Sequence, residues 1–385
     1  MLERFSGSLS SGLSNDTTFF EIGCSHYIVR EAGLSVFTIA AILCVPVISH
    51  LSDVYGRKPL LIICVCVAMI ASFLCSVAPT YWSFLILRFI VGGATDAYAT
   101  ISSILSCELV AQDSRSWVGL VFTTAWVGGY LYVGLLSVFR LSWRFFYALT
   151  TLPMLISFMY FFWIPESPHW LASHGKYCQL RKYVDDSMKF NNKDVNLSVC
   201  LIASQRKRAR KYAAEGGEGQ YKRAFKTPIF IIFILINGFL QFITQIYYFA
   251  LTFSSLTLSE DKFLGYMLSG FIEIPGGIIV IPLMKYFGRK TLIISSLFLQ
   301  GILIAGYPYV QETDYIWFAI TLNLLGKLSN GIIQVVHPVI VTEMLPTKMR
   351  TMIYSVVNIP QSFGILLAPY LKYTVCFFSL PELAK

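Results

Sequence analysis

Long apolar windows alternate with short polar turns along most of the chain. Each window has about 18 to 25 residues, the length that crosses the hydrocarbon core of a bilayer. Ten windows fit the sequence, at 33–51, 59–78, 82–105, 117–138, 143–164, 228–250, 263–284, 291–309, 315–341 and 351–375. Because a helix satisfies its own backbone hydrogen bonds in lipid, the pattern predicts an all-α, polytopic membrane protein with about ten spans.

The polar turns repeat in two halves of the chain. Residues 53–58 and 286–290 each separate two apolar windows, and Gly288 follows Gly56 by 232 positions. Glu108 and Arg115 recur as Glu343 and Arg350, offset by 235. Such internal repeats are typical of transporters whose halves pack around a site near the membrane midplane. For the Gly-Arg-Lys turn alone, a simple positive loop is the alternative interpretation.

The repeat divides the chain into five segments. We expect an outer N-terminal segment at 1–32, helical halves at 33–164 and 228–375, a cytoplasmic basic loop at 165–227 and a tail at 376–385. The turns at 52–58, 106–116, 285–290 and 343–350, with the loop, hold 21 basic residues against 7 on the opposite side. Basic residues favour the cytoplasmic side, so both termini are expected outside, where Asn15 starts a glycosylation sequon.

The composition supports a membrane protein and indicates which partners its basic residues bind. The 385 residues are 56% hydrophobic and 13% charged, about half the charged share of a soluble chain. The net charge of +9 comes mainly from the loop 165–227, where the run 206–211 is suited to anionic lipid. Since this run lies between membrane spans, lipid is the expected partner and nucleic acid is not.

Residue patterns of metal sites and enzymes do not occur in the sequence. The nine cysteines and five histidines have no metal-ligand spacing, and no GxxxxGK[ST] loop for a nucleotide is present. We therefore predict no metal, no cofactor and no enzymatic activity. Transport by this chain would be secondary or facilitated.

Four ionisable residues fall inside predicted spans: Arg88, Asp96, Glu273 and Lys327. A charge inside a spanning helix costs about 2.5–3.5 kcal/mol on insertion scales, so each one needs a partner or a function. Structural ion pairs between helices are one interpretation, and a substrate or proton pathway is the other. Glu273 is the strongest candidate for a function, because Pro275 and the following glycines loosen its helix and a negative cavity is expected there.

Aromatic residues accompany these charges along the sequence. Trp126 and Tyr130 lie in the window 117–138, and Tyr247 and Tyr248 in the window 228–250. Aromatic faces attract organic cations by about 0.5–2 kcal/mol each. Since 15% of the chain is aromatic, packing and interfacial positions are the alternative.

Several motifs together resemble one family of transporters. The turn Asp53-Val54-Tyr55-Gly56-Arg57-Lys58 resembles the D-x-x-G-R-[KR] motif of the major facilitator superfamily, and 165–171, with Glu166, resembles its P-E-S-P-R-W-L stretch. Tyr247-Tyr248, the surroundings of Glu273 and the stretch 343–350 resemble the organic cation/carnitine transporter family. P-E-S-P alone also fits sugar porters.

The resemblance implies two six-helix halves that rock around a central site. It also implies that Asp53, Gly56 and Arg57 form a gating turn, repeated at Gly288. An inner charge network would hold Arg88, Glu108, Arg115 and Glu166, with Arg289, Glu343 and Arg350 as counterparts. Ser362 stands where many cation transporters of the family carry Asp and anion transporters carry Arg. Two residues depart from the family motifs: Lys285 replaces the acid of the second gating turn, and His169 replaces the arginine of P-E-S-P-R-W-L.

The ten windows match the second to eleventh helices of that family, so we expect the first and the last to be missing from this chain. The leading hypothesis is a transporter of small organic cations or carnitine-like zwitterions at the plasma membrane, with Glu273 and Asp96 as charge anchors. The alternatives are a truncated, non-transporting membrane protein that associates with full-length relatives, a sugar porter, and an organic anion transporter. The sequence leaves the oligomeric state open.

Overall fold

The structure is a computed structural model that describes residues 27–110, 115–139, 141–191, 228–258, 262–311, 316–345 and 350–379. All regular structure within these ranges is helical. The sequon at Asn15 and the basic run 206–211 lie outside the described residues.

The N-terminal half consists of four long helices and a mixed fifth segment. They are α1 (Tyr27–Tyr55), α2 (Arg57–Ser76), α3 (Tyr81–Leu109), α4 (Arg115–Val138) and then α5 (Trp143–Thr151), a 3-10 helix (Leu152–Met159) and α6 (Tyr160–Trp163). The predicted window 143–164 is thus one apolar segment with a 3-10 centre. Pro153 explains the change, because it cannot donate the backbone hydrogen bond of a regular α-helix.

Two short helices follow this half at the end of the bundle that carries Arg57 and Arg289, which we call the basic end. They are α7 (Pro168–Ser173) and α8 (Tyr177–Phe190). Trp170, Leu171 and Leu180 are buried between them. The first part of the predicted loop 165–227 is therefore folded against the bundle.

The C-terminal half repeats the long helices. They are α9 (Pro228–Leu258), α10 (Lys262–Phe271), α11 (Glu273–Phe287), α12 (Arg289–Gln311), α13 (Ile316–Met344) and α14 (Arg350–Ser379). The window 263–284 is interrupted between α10 and α11 at Ile272. Pro275 accounts for this, since its ring excludes the hydrogen bond to the carbonyl of Phe271. The prediction of a loosened helix beside Glu273 agrees with this break.

The predicted spans agree with the described helices. Nine helical stretches are long and apolar enough to cross a membrane, and the tenth window lies in α14, a helix of 30 residues. Burial separates the central helices from the peripheral ones. Of the apolar window of α13, 67% is buried inside the protein, against 6% for the segment 143–163.

The helices of each half pack closely because glycines admit neighbouring backbones. In the N-terminal half α3 packs against α1 and α2, and Gly92 and Gly93 face Phe37 and Cys44 of α1. In the C-terminal half α9 packs against α14, where the backbone carbonyl of Phe242 faces Gly364. Small residues at such crossings are the usual basis of helix packing in membranes.

The two halves meet along two seams. One joins α1 to α14, where the hydroxyls of Ser35 and Tyr370 are 2.7 Å apart. The other joins α4 to α10, α11 and α13, where Gly134 lies against Tyr266 and Gly277 against Leu120. The second seam brings α4 next to the helices that carry Glu273 and Lys327.

Both polar turns contain a glycine at positive φ. Gly56 has a φ of 117° and Gly288 a φ of 74°. Each joins two long antiparallel helices through a backbone conformation that glycine adopts and other residues avoid. The sequence repeat at these positions is therefore a structural repeat.

Candidate functional site

The centre of the candidate site is an ion pair buried between α11 and α13. The Nζ of Lys327 lies 3.4 Å from Oε1 of Glu273, and the two side chains are 0% and 6% exposed. Glu273 is the first residue of α11, directly after the break at Ile272. Isolated charges at this depth are costly, and pairing offsets part of that cost.

The expected negative cavity at Glu273 is therefore wrong for this conformation. The ammonium of Lys327 balances the carboxylate, so the pair is neutral as a unit. A structural ion pair between helices was one interpretation of the four charges inside the spans. Such a pair is found for Glu273 and Lys327.

Tyrosine rings enclose the ammonium of Lys327. Its Nζ lies 4.7 Å from the ring centre of Tyr248 and 5.3 Å from that of Tyr130. The indole N–H of Trp126 donates to the hydroxyl of Tyr248 at 3.1 Å. Since cations are attracted to aromatic faces, these rings stabilise the charge of Lys327. We call Glu273, Lys327, Tyr130, Tyr248 and Trp126 the charge-pair cluster.

Tyr266 is a further member of this region that the sequence analysis missed. Its ring stacks on Tyr130 with centroids 3.9 Å apart, and its hydroxyl donates to the backbone oxygen of Tyr130 at 3.1 Å. The hydroxyl of Tyr130 is buried without a hydrogen-bond partner among the described residues. The signal was available, because Tyr266 precedes Glu273 by seven positions, about two helical turns.

Three other predicted substrate contacts lie outside the charge-pair cluster. Tyr247 is buried and packs against Gly326, which precedes Lys327 in the sequence. Asp96 on α3 and Ser362 on α14 are partly buried. Within the described ranges no hydrogen bond or ion pair connects either residue to the cluster, and the role of Asp96 as a second charge anchor remains a prediction.

Arg88 does not belong to the inner charge network predicted for it. Its guanidinium lies over the rings of Phe37, Phe84 and Tyr147, with centroid distances of 5.8, 5.7 and 5.1 Å. Twenty helical residues, about 30 Å of α3, separate it from Glu108. The resemblance suggested the inner side, but the position near the start of α3 excludes it.

The N-terminal half holds a connected charge network at the basic end. The Nη2 of Arg57 donates to Oδ1 of Asp53 at 3.2 Å and to Oε1 of Glu108 at 3.3 Å. The hydroxyl of Ser167 donates to Oε2 of Glu108 at 2.5 Å. Arg57 is 4% exposed and the side chain of Glu108 0%, so this network is inside the protein.

Glu166 joins the same network through backbone N–H groups of the turn. Its carboxylate accepts the backbone N–H of Arg57 at 2.9 Å, of Lys58 at 3.2 Å and of Ser167 at 3.0 Å. A Cβ on Gly56 would lie 2.6 Å from Oε2 of Glu166. The turn thus needs glycine for its φ and for the approach of this carboxylate.

Trp170 attaches α7 to the same turn, because its indole N–H donates to the backbone oxygen of Asp53 at 2.9 Å. Ser167 and Trp170 belong to the stretch 165–171, and no role was predicted for either residue. Trp170 holds the segment after α6 against the turn between α1 and α2, and Ser167 joins that segment to Glu108 of α3.

The matching place in the C-terminal half also holds an ion pair. Arg289 pairs with Glu343, and these side chains are 36% and 15% exposed. A Cβ on Gly288 would meet no atom of the described residues within 4 Å. The side chains of Arg115, Lys285 and Arg350 lie outside the described residues.

The fold and its buried charges define a multi-pass helical membrane protein with an internal polar site. The family model of the Major Facilitator Superfamily matches residues 15–369, and the chain therefore belongs to the Major Facilitator Superfamily. This is a family of membrane transporters, not of enzymes. The recognition from sequence motifs is confirmed at this level.

Named relatives support the same assignment. A Caenorhabditis elegans protein named as a transporter is 34% identical over 92% of this chain and 60% of its own length. An organic cation transporter protein of Drosophila melanogaster is 25% identical over 94% of this chain and 67% of its own length. A beta-alanine transporter of Drosophila melanogaster is 26% identical over 91% of this chain and 58% of its own length. This chain thus spans about three fifths to two thirds of these relatives.

A solved structure shares the fold. The proton:xylose symporter XylE, bound to 6-bromo-6-deoxy-D-glucose, superposes with a TM-score of 0.76 and 18% identity. The match covers 98% of this chain and 86% of XylE. The predicted fold class, a helical bundle of the major facilitator type, is confirmed.

Proposed function

We propose that the chain transports small organic cations or zwitterions across the plasma membrane by alternating access, as a secondary or facilitated transporter. The observation that carries the proposal is the Glu273–Lys327 pair, which is buried beside the rings of Tyr130 and Tyr248, with Trp126 bonded to the hydroxyl of Tyr248. Two relatives are named for organic cations and for beta-alanine. The charge-pair cluster is the region of this chain that suits such ligands.

Within this class the pair favours a zwitterion. A ligand ammonium can replace Lys327 as the partner of Glu273 and of the tyrosine rings. A ligand carboxylate can then pair with Lys327 in place of Glu273. Each buried charge then keeps a partner, which matters because an uncompensated buried charge is costly. A simple cation would leave Lys327 without its carboxylate, so we expect it to bind more weakly.

The network at the basic end is suited to act as a gate. Asp53, Arg57 and Glu108 are joined to Glu166 through the turn at Gly56. These contacts link α1, α2 and α3 to the segment after α6. Breaking such a network as one unit gives a two-state element, as alternating access requires.

Uptake by cells that express the chain tests the proposal. A labelled panel would contain an organic cation, a small amino-carboxylate zwitterion, a sugar and an organic anion. We expect saturable uptake of the zwitterion first and of the cation second. Glu273→Gln is expected to abolish both at unchanged surface amounts. Normal uptake by this variant, or uptake of the sugar or the anion alone, would contradict the proposal.

A second candidate is a membrane protein that works by association with another helical protein. It is favoured by the low burial of α4 and of the segment 143–163, whose apolar windows are 11% and 6% buried. Native mass measurement of the purified chain with a co-expressed relative distinguishes the two. A stable complex together with no uptake by the chain alone would support this candidate.

A further inference from the structure

Three glutamine side chains meet where α9, α13 and α14 join. The Oε1 of Gln245 accepts from Nε2 of Gln334 at 3.2 Å and from Nε2 of Gln361 at 3.3 Å. Gln245 is 6% exposed, and the other two are partly buried. We give the name amide cluster to these three residues together with Asn330, one turn from Gln334 on α13, and Asn358, one turn from Gln361 on α14.

Two asparagine oxygens next to these glutamines are buried without a donor among the described residues. The Nδ2 of Asn330 donates to the backbone oxygen of Thr244 at 3.0 Å, while its Oδ1 is buried without a partner among the described residues. The Oδ1 of Asn358 is likewise buried and unpartnered in the described part of the chain. Asn330 lies one turn from Gln334, and Asn358 one turn from Gln361, so both share their faces. Buried polar atoms normally have a partner, and here that partner must donate.

The amide cluster lies beside the charge-pair cluster on the same two helices. Gln334 follows Lys327 by seven positions on α13, which places it on the same face and about 10 Å closer to the basic end. On α9, Gln245 precedes Tyr248, the ring over Lys327, by three positions. One ligand can therefore extend from one cluster to the other.

We propose that the amide cluster is a second subsite, which binds a neutral hydroxyl or amide group of the same substrate. This inference rests on the proposed function and narrows its substrate class to ions with a hydrogen-bonding group remote from the charged head. The subsite is uncharged, since its members are all carboxamides. A hydroxyl or amide group can donate to the free oxygen of Asn330 or Asn358 and can accept from Gln334, whose Nε2 has two N–H groups and gives one of them to Gln245.

The test uses two matched ligands on the purified chain. One is an alkyl trimethylammonium, and the other is the same compound with a terminal hydroxyl, each in a series of chain lengths. Affinity is measured from the ligand-dependent rise in melting temperature. We expect the hydroxyl compound to bind about 3- to 10-fold more tightly at one chain length, as one or two net hydrogen bonds imply.

The variant Gln334→Met keeps the length of the side chain and removes its amide. We expect it to lower the affinity of the hydroxyl compound to that of the alkyl compound, whose affinity stays the same. Gln300→Met is the matched control, because Gln300 is 3% exposed on α12 with an unpartnered Nε2 among the described residues. It is expected to keep the preference for the hydroxyl.

The possible results separate the subsite from the proposed function. Equal affinity of the two compounds at every length, or an equal loss for both in Gln334→Met, overturns the subsite alone. No binding of either compound to the wild-type chain overturns the proposed function for ammonium ligands and the subsite with it. A preference that depends on Gln334 supports both.

Discussion

The two halves of the molecule repeat the same helices and use their polar residues differently. In the N-terminal half the charges of Asp53, Arg57 and Glu108 gather at the basic end. In the C-terminal half that end has one ion pair, Arg289–Glu343, among its described side chains. Two further charges of this half, Glu273 and Lys327, are buried deep within the helices.

This difference indicates that the two duplicated halves have different functions. A network at the end of the helices can break and reform when the ends move apart, whereas a pair in the middle can exchange partners with a ligand. We therefore propose that the N-terminal half mainly forms the gate and that the C-terminal half mainly binds the substrate.

The largest effect is expected at the buried pair. Lys327→Met leaves the carboxylate of Glu273 buried without its cation and should destabilise the folded chain by ~3–5 kcal/mol. Glu273→Gln should cost less, because Lys327 keeps the faces of Tyr130 and Tyr248. The double variant should recover most of the loss. Melting temperatures of the four purified proteins measure this, and simple additivity of the two single changes would contradict it.

A smaller effect is expected when the stability lost in Glu108→Gln is compared with that lost in Glu343→Gln. Glu108→Gln weakens a fully buried network with Arg57 and Ser167, and charged hydrogen bonds are worth about 1.5–3 kcal/mol. Glu343→Gln acts on a partner that is 36% exposed, so we expect less than about 1 kcal/mol. Denaturation of both variants under the same conditions gives the difference. Equal losses would argue against a stronger network in the N-terminal half.

A smaller difference is expected between the two glycine turns. Gly56→Ala and Gly288→Ala both introduce a side chain at positive φ, at a cost of about 1–3 kcal/mol. Gly56→Ala must also displace Glu166, while no atom of the described part of the chain lies within 4 Å of a Cβ at Gly288. We therefore expect Gly56→Ala to be more destabilising by about 1–2 kcal/mol, roughly the net value of one or two lost hydrogen bonds. A larger drop in melting temperature for Gly288→Ala would show that Glu166 does not support the turn.

The smallest expected effect concerns Trp126. Trp126→Phe removes the N–H that donates to the hydroxyl of Tyr248, at a cost of about 0.5–1.5 kcal/mol. Ligand affinity should fall a few-fold, because the ring of Tyr248 loses its fixed orientation over Lys327. Trp117→Phe is the matched control, because Trp117 is as exposed as Trp126, 57% against 59%, and lies nine residues from it on the same helix. Similar losses of affinity for the two variants would exclude this role of Trp126.

Most of the fold followed from the sequence for a simple reason. A bilayer fixes the length and polarity of a span, so the ten windows, the repeat and the two glycine turns could be predicted from local pattern alone. The loosening of the helix beside Glu273 was predicted from Pro275, whereas the 3-10 segment at Pro153 was not, because proline affects the hydrogen bonds of neighbouring turns and not the apolar pattern.

The site could be predicted in part. Glu273 and Lys327 stood out as charges inside spans, but their pairing depends on the crossing of α11 and α13, which local sequence does not contain. Arg88 was misplaced because a family resemblance outweighed its position near the start of α3. The amide cluster was missed since glutamines are common and only packing brings Gln245, Gln334 and Gln361 together.

The most direct test of the account is to measure ligand binding and uptake in the same variants. A small zwitterion would be used with the wild type, Glu273→Gln and Glu108→Gln, with binding followed by thermal shift and uptake in vesicles. The account predicts that Glu273→Gln loses binding and uptake together, while Glu108→Gln keeps binding and changes the uptake rate. Normal binding in Glu273→Gln, or its loss in Glu108→Gln, would contradict the assignment of substrate binding to the C-terminal half.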